Sequence, residues 1–167
     1  MWSAQRISAY KNSLTTEFGV PIALLRIPKL ELEVPVFDGT DDLTLDRGVG
    51  RILGTAQIGQ QGNLGIAGHR DGFFRGLKDI AAGDVIELTR PRATDTYTVR
   101  DIQIVTPEDT YVLNPTPTST LTLVTCFPFY FLGHAPQRFI VTASLESTRP
   151  PNLSSKEAPN SGKNAKN

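Results

Sequence analysis

The pattern of apolar and polar positions marks eight short strand-like segments, at 22–27, 32–37, 49–53, 62–67, 85–89, 97–105, 120–126 and 137–145, with a period of two clear at 97–105 and 120–126. Each reads as a half-buried strand. The clearest is TLTLVTC, where Leu121, Leu123 and Thr125 alternate with Thr122, Val124 and Cys126. Pro28 stops the first strand, and Pro35 marks the second as an edge strand. Helical spacing appears at the N-terminus, where Trp2, Ile7, Tyr10, Leu14 and Phe18 predict an amphipathic helix over 2–18. Two short helical pieces are expected after Asp41-Asp42 and over Phe73, Phe74, Leu77 and Ile80. Many strands and little helix favour a closed or nearly closed all-β barrel over a βαβ sheet.

Three regions follow. Residues 1–19 form an N-terminal helix, 20–146 a β-barrel domain, and 147–167, rich in Pro, Ser, Asn, Lys and Gly, a disordered tail. The loop 107–118 carries three prolines and is long for a connection without a function.

Composition narrows the chemistry. The chain has 167 residues, enough for one domain with a core. Seventeen basic and seventeen acidic side chains cancel, so no nucleic-acid partner is expected. One cysteine excludes an intrachain disulfide. No apolar run approaches the ~20 residues of a membrane span, and no signal peptide is visible. The chain reads as a soluble piece of a longer protein. No HExxH, CxxC or paired-histidine spacing is present, so neither a metal nor another cofactor is expected.

Cys126 ends its strand just before Pro128. A lone cysteine is often a small buried hydrophobe. Against that stand the strand-end position, Arg138 at the start of the next strand, and His69 in the Gly-rich segment GNLGIAGHRDG. Only a few per cent of an ordinary thiol is thiolate at neutral pH, and a neighbouring imidazole and guanidinium favour the anion. Together, Cys, His and Arg suit acyl transfer. Asp71 either orients His69 or caps the short helix behind it. His134 is placed at the mouth of a groove. Thr125, Phe127 and Pro128, flanking the thiol, are candidate substrate contacts. The aromatic run Phe127, Phe129, Tyr130 and Phe131 reads equally as core or as an apolar wall for a peptide.

TLTLVTC with Cys126, GIAGHRDGFF with His69, and QRFIV with Arg138 resemble the sortase family of cysteine transpeptidases. The segments RIPKLELEVPVFDGTDD and LTLVTCFPFYFLGHAPQRFIV look most like class D members. The resemblance implies an eight-stranded barrel with Cys126 as nucleophile, His69 as general acid and Arg138 as the substrate-positioning and oxyanion group. It implies cleavage of an LPxTG-like sorting signal after its Thr, through a thioacyl enzyme that an amine of peptidoglycan precursor or of a pilin resolves. It also implies an extracytoplasmic, cell-surface location, with a membrane anchor outside this chain. A cysteine hydrolase on the same fold, and a non-catalytic β-barrel binding module, are the alternatives.

Overall fold

The structure is a computed structural model that describes residues 2–150. Its eight strands are β1 (Ala23–Ile27), β2 (Leu32–Asp38), β3 (Val49–Arg51), β4 (Asn63–Ala67), β5 (Val85–Arg90), β6 (Ala93–Val105), β7 (Thr120–Phe127) and β8 (Gln137–Arg149). They close into a barrel in the order β1-β2-β3-β4-β7-β8-β6-β5. The pairs β2/β3 and β4/β7 are parallel and the rest antiparallel. The helices are α1 (Ala4–Ser13), α2 (Asp42–Arg47) and three 3-10 turns, the longest over Phe73–Asp79.

Alternation fills the barrel. Leu25, Ile27, Val34, Val36, Leu64, Ile66, Leu88, Leu121, Leu123 and Val141 are buried in one core. Each such side chain contributes ~1.5–3 kcal/mol on burial. On β7 the inward set is Leu121, Leu123, Thr125, so Thr122, Val124 and Cys126 face outward; on β4, Leu64 and Ile66 face inward and Asn63, Gly65 and Ala67 outward. Part of this outer face is covered too. The segment 107–118 crosses it, and Asn63 Nδ2 donates to the carbonyls of Val112 and Asn114, both at 3.0 Å. Gly65 has no room for a side chain there, because a Cβ would meet Leu113 Cδ2 at 2.9 Å. Strands covered on both faces are the usual setting of parallel pairing.

Three expectations change. Pro35 is not on an edge, because the barrel has none. Proline is tolerated because β3 pairs with β2 only from Val36 onward, so no ladder bond is asked of residue 35 on that side. The N-terminal helix is shorter than 2–18. The Ser3 side chain accepts from Arg6 N at its start, it ends at Ser13, and Phe18 instead packs edge-on against Phe37. The last strand is longer than expected. β8 runs to Arg149 because the start of β6 pairs with it, Thr94 with Arg149 and Asp95 with Thr148. The rest of the expected tail, 151–167, lies outside the described residues. No helix among the described residues is long and apolar enough to cross a membrane.

Candidate active site

Strand register brings the chemistry together. In the parallel β4/β7 pair Asn63 matches Thr120 and Ala67 matches Val124, a constant offset. The backbone keeps it past the end of β4: Gly68 N donates to Val124 O at 3.1 Å, and Thr125 Oγ1 donates to Gly68 O at 2.8 Å, an offset of 57 residues. One further step sets His69 beside Cys126. On the other side of β7, Cys126 pairs directly with Arg138 of β8. Thiol and guanidinium thus stand side by side on β7 and β8, strands about 4.8 Å apart, and the imidazole follows two residues past the end of β4 on the other side of β7. Alternation turns Cys126 and Arg138 outward, and His69 meets them at the cleft they share.

They line one cleft of about 260 Å³, together with Arg6, Arg70, Asp71 and His134. Gly68 is what lets His69 sit at its edge. A Cβ at Gly68 would stand 2.7 Å from the Phe74 ring and 3.0 Å from Val49, so only glycine allows the Phe74 ring to pack under the turn.

Cys126 is half-buried and lines the cleft rather than the core. His69 Nε2 is buried and has no hydrogen-bond partner among the described residues; its nearest carboxylate is Asp46 Oδ1 of α2, at 3.9 Å. Burial holds the His69 pKa below the usual imidazole value, and the positive charge of Arg6 lowers it further, against the opposing pull of Asp71, Asp46 and Asp42. Arg138 Nη1 donates to the carbonyls of Ala135 (3.2 Å) and Gln137 (3.0 Å). Those bonds fix the guanidinium against the loop before β8. Its Nε and Nη2 hydrogens have no partner among the described residues.

The other expected contacts divide. Asp71 does not cap the helical turn behind it: the turn starts at Gly72 without a side-chain cap. Asp71 instead accepts from Ser3 Oγ at 2.9 Å and Arg6 Nε at 3.1 Å. Burial pushes its carboxyl up, but those two partners outweigh burial and leave it below the usual range. Thr125 does not line the cleft. It is 2% exposed, and its hydroxyl is used up on Gly68. Phe127 faces inward and joins Phe129 and Phe139 in an aromatic cluster, so it too leaves the cleft. Pro128, after a cis bond to Phe127, contributes its carbonyl to Arg70 Nη1 at 3.0 Å rather than a surface to the cleft. His134 is exposed at the cleft. The aromatic run splits: Phe129 is core, while Tyr130 and Phe131 are exposed and carry Arg75 and Arg70 over their rings.

Three residues at the site went unread in the sequence. Arg70 holds the loop before β8 through Pro128 O and Gly133 O; its place next to His69 was the available signal. Arg6 and Asp46 arrive from α1 and α2, and nothing in their spacing pointed to His69.

A model of the sortase domain matches residues 25–146. A sortase D from Bacillus subtilis (strain 168) is 33% identical over 132 residues, which is 78% of this chain and 67% of that protein. The chain spans 52% and 43% of two other curated relatives. Among solved structures, a Clostridium perfringens sortase D5 transpeptidase superposes with a TM-score of 0.70 at 30% identity, covering 87% of this chain and 90% of that one. Sortase E1 from Streptomyces coelicolor, solved with a tripeptide in its active site, gives 0.72 at 30% identity, covering 84% and 94%. With the domain matched across most of the chain and the same closed barrel beneath it, this chain belongs to the sortase family of cysteine transpeptidases.

Proposed function

We infer that this chain is a sortase catalytic domain whose nucleophile is Cys126, whose general acid is His69 and whose oxyanion donor is Arg138. The register that brings these three side chains to one cleft is the observation that carries the reading. The Cys126 thiolate attacks the carbonyl carbon of the scissile peptide bond. Charge moves onto the carbonyl oxygen, where the free N–H groups of Arg138 receive it. The C–N bond breaks, the leaving amine takes the proton of His69, and a thioester remains on Cys126. An incoming amine loses a proton to His69 as it attacks the thioester, and the thiolate departs. Atoms and charge balance with no other reactant.

The substrate is the sorting signal of a surface protein, of LPxTG type, cleaved after Thr. It lies along the outer face of β4 and β7, where Ala67 and Val124 are small or apolar and the segment 107–118 forms a wall. The acceptor is an amine of peptidoglycan precursor or of a pilin. A wider cleft of about 540 Å³ shares Arg70, Asp71 and Gly133 with the first and leaves room for it. Sortases act at the cell surface, and the full-length protein is held there by a membrane anchor outside this chain.

Mass spectrometry after exposure to a small library of sorting-signal peptides tests the reading. The expected product is an acyl adduct on Cys126, discharged by added amine into an amide. An adduct that only water discharges, however much amine is added, would make the chain a hydrolase. No adduct from any peptide, with a thiol inert to labelling, would leave a binding module.

A further inference from the structure

Helix α1 lies outside the matched domain, residues 25–146, yet it reaches the active site. Its Arg6 donates from Nε to Asp71 Oδ1 and from Nη1 to Asp46 Oδ1. Asp46 is the carboxylate that stands 3.9 Å from the unpartnered Nε2 of His69. That separation is just beyond hydrogen-bond reach. One carboxylate therefore has two suitors, and the guanidinium holds it. The helix carrying that guanidinium is lightly attached. Only Ser13 of its ten residues is buried. Besides the ion pairs, it is held by Ser3 on Asp71, by Arg47 Nη1 of α2 donating to Ser13 O at 3.0 Å, and by Trp2 and Tyr10 edge-on to Phe73. Elements with so little buried apolar surface open at low local free energy.

We propose that Arg6 is a positioning residue which competes with His69 for Asp46, so that docked α1 keeps the imidazole neutral and unbound, and released α1 hands Asp46 to Nε2–H. The proposal rests on His69 as the acid. The charged groups around the ring come from every element packed on it. Asp42 and Asp46 approach from α2, Arg70 and Asp71 from the turn after β4, Cys126 from β7, and His134 and Arg138 from the far wall. None of these is carried by α1; of the charged groups around the ring, only Arg6 leaves with it. Removing it subtracts a positive charge that disfavours imidazolium and frees two carboxylates that favour it. Both changes act in the same direction.

In this way the N-terminal helix tunes the acid of the domain that follows it. An imidazole ordinarily titrates about two units below a thiol, so imidazolium beside thiolate is the minor form at neutral pH. Anything that raises the proton affinity of His69 enlarges the reactive fraction, tenfold for each whole unit.

The experiment is an NMR pH titration of the two histidines of the chain, assigned with His134→Asn, in the absence of substrate. The variants are Arg6→Gln, Arg6→Lys, Asp46→Asn and Trp2→Ala. Arg6→Gln and Trp2→Ala are expected to move the His69 midpoint up, Asp46→Asn to move it down, and Arg6→Lys to leave it near the parent value. The double variant Arg6→Gln/Asp46→Asn should lose most of the rise. Peptide cleavage at neutral pH should increase in Arg6→Gln in step with the protonated fraction. An unmoved midpoint in Arg6→Gln, or equal shifts in Arg6→Gln and Arg6→Lys, would overturn the proposal. A midpoint that moves as expected without any change in cleavage upholds the competition for Asp46 and counts against His69 as the acid.

Discussion

Thr125→Val isolates the bond that ties the two halves of the active site. The substitution keeps a β-branched side chain of nearly the same volume, so no cavity opens; it removes one hydroxyl. That hydroxyl donates to Gly68 O at 2.8 Å from a residue 2% exposed, and Gly68 is itself buried. The carbonyl is left without its side-chain donor, a loss of ~1–3 kcal/mol. Against the ~5–15 kcal/mol typical of a domain, the barrel stays folded. The larger effect is on catalysis. Gly68 precedes His69, and the lost bond is the last tie holding that backbone in register with Cys126. A displacement of the imidazole on the order of 1 Å reduces turnover about 100-fold. Denaturant unfolding gives the first quantity and kcat/KM for peptide cleavage the second. Thr122→Val is the matched control. Its hydroxyl is equally buried and donates to Asn63 Oδ1 at 2.7 Å, far along the same strand from Cys126. The control should lose similar stability and keep its activity. Equal activity losses in both variants, or full activity in Thr125→Val at the expected loss of stability, would refute the register argument.

Other outcomes follow from the same geometry. Cys126→Ala should abolish turnover and leave the unfolding midpoint nearly unchanged, since the thiol lines a cleft and not the core; differential scanning calorimetry and a cleavage assay read both. Arg138→Lys should cut kcat at least tenfold, because an ammonium cannot hold two loop carbonyls and keep a planar fork aimed at the oxyanion. Gly68→Ala should destabilise by ~1–3 kcal/mol and lower kcat, since its methyl meets the Phe74 ring and pushes the turn that carries His69; unfolding curves and cleavage kinetics measure the two losses. Stability should fall as pH drops below about 6.5, where the unfolded chain's imidazole binds a proton and His69, its pKa lowered, does not. His69→Gln should flatten that slope in urea titrations run at several pH values, whereas the contribution of Asp71 is lost only at lower pH, below its ordinary carboxylate range. If segment 107–118 walls the peptide groove, its amide exchange should slow when a sorting-signal peptide is added; an unchanged rate would place the peptide elsewhere.

What the amino-acid order determined was local. Alternation in TLTLVTC, like the short apolar runs of the other seven segments, is a property of neighbouring residues, and together these sufficed for eight strands and a barrel. They also placed Cys126 and Arg138 near each other, because an antiparallel pair joined by one loop leaves little choice of register. The edge reading of Pro35 failed because whether a strand has a neighbour on its second side depends on β3, which only closure supplies. The same is true of Thr125: the period of two says that it faces inward, but not that Gly68 of a parallel strand waits there for its hydroxyl. The partnership of His69 with Cys126 spans 57 residues across a parallel pairing, and motif resemblance could suggest it where periodicity could not. The setting of the imidazole was decided by tertiary structure alone. Arg6, Asp46 and Asp71 meet from three separate elements, and charges attract at distances in space that spacing along a chain does not encode.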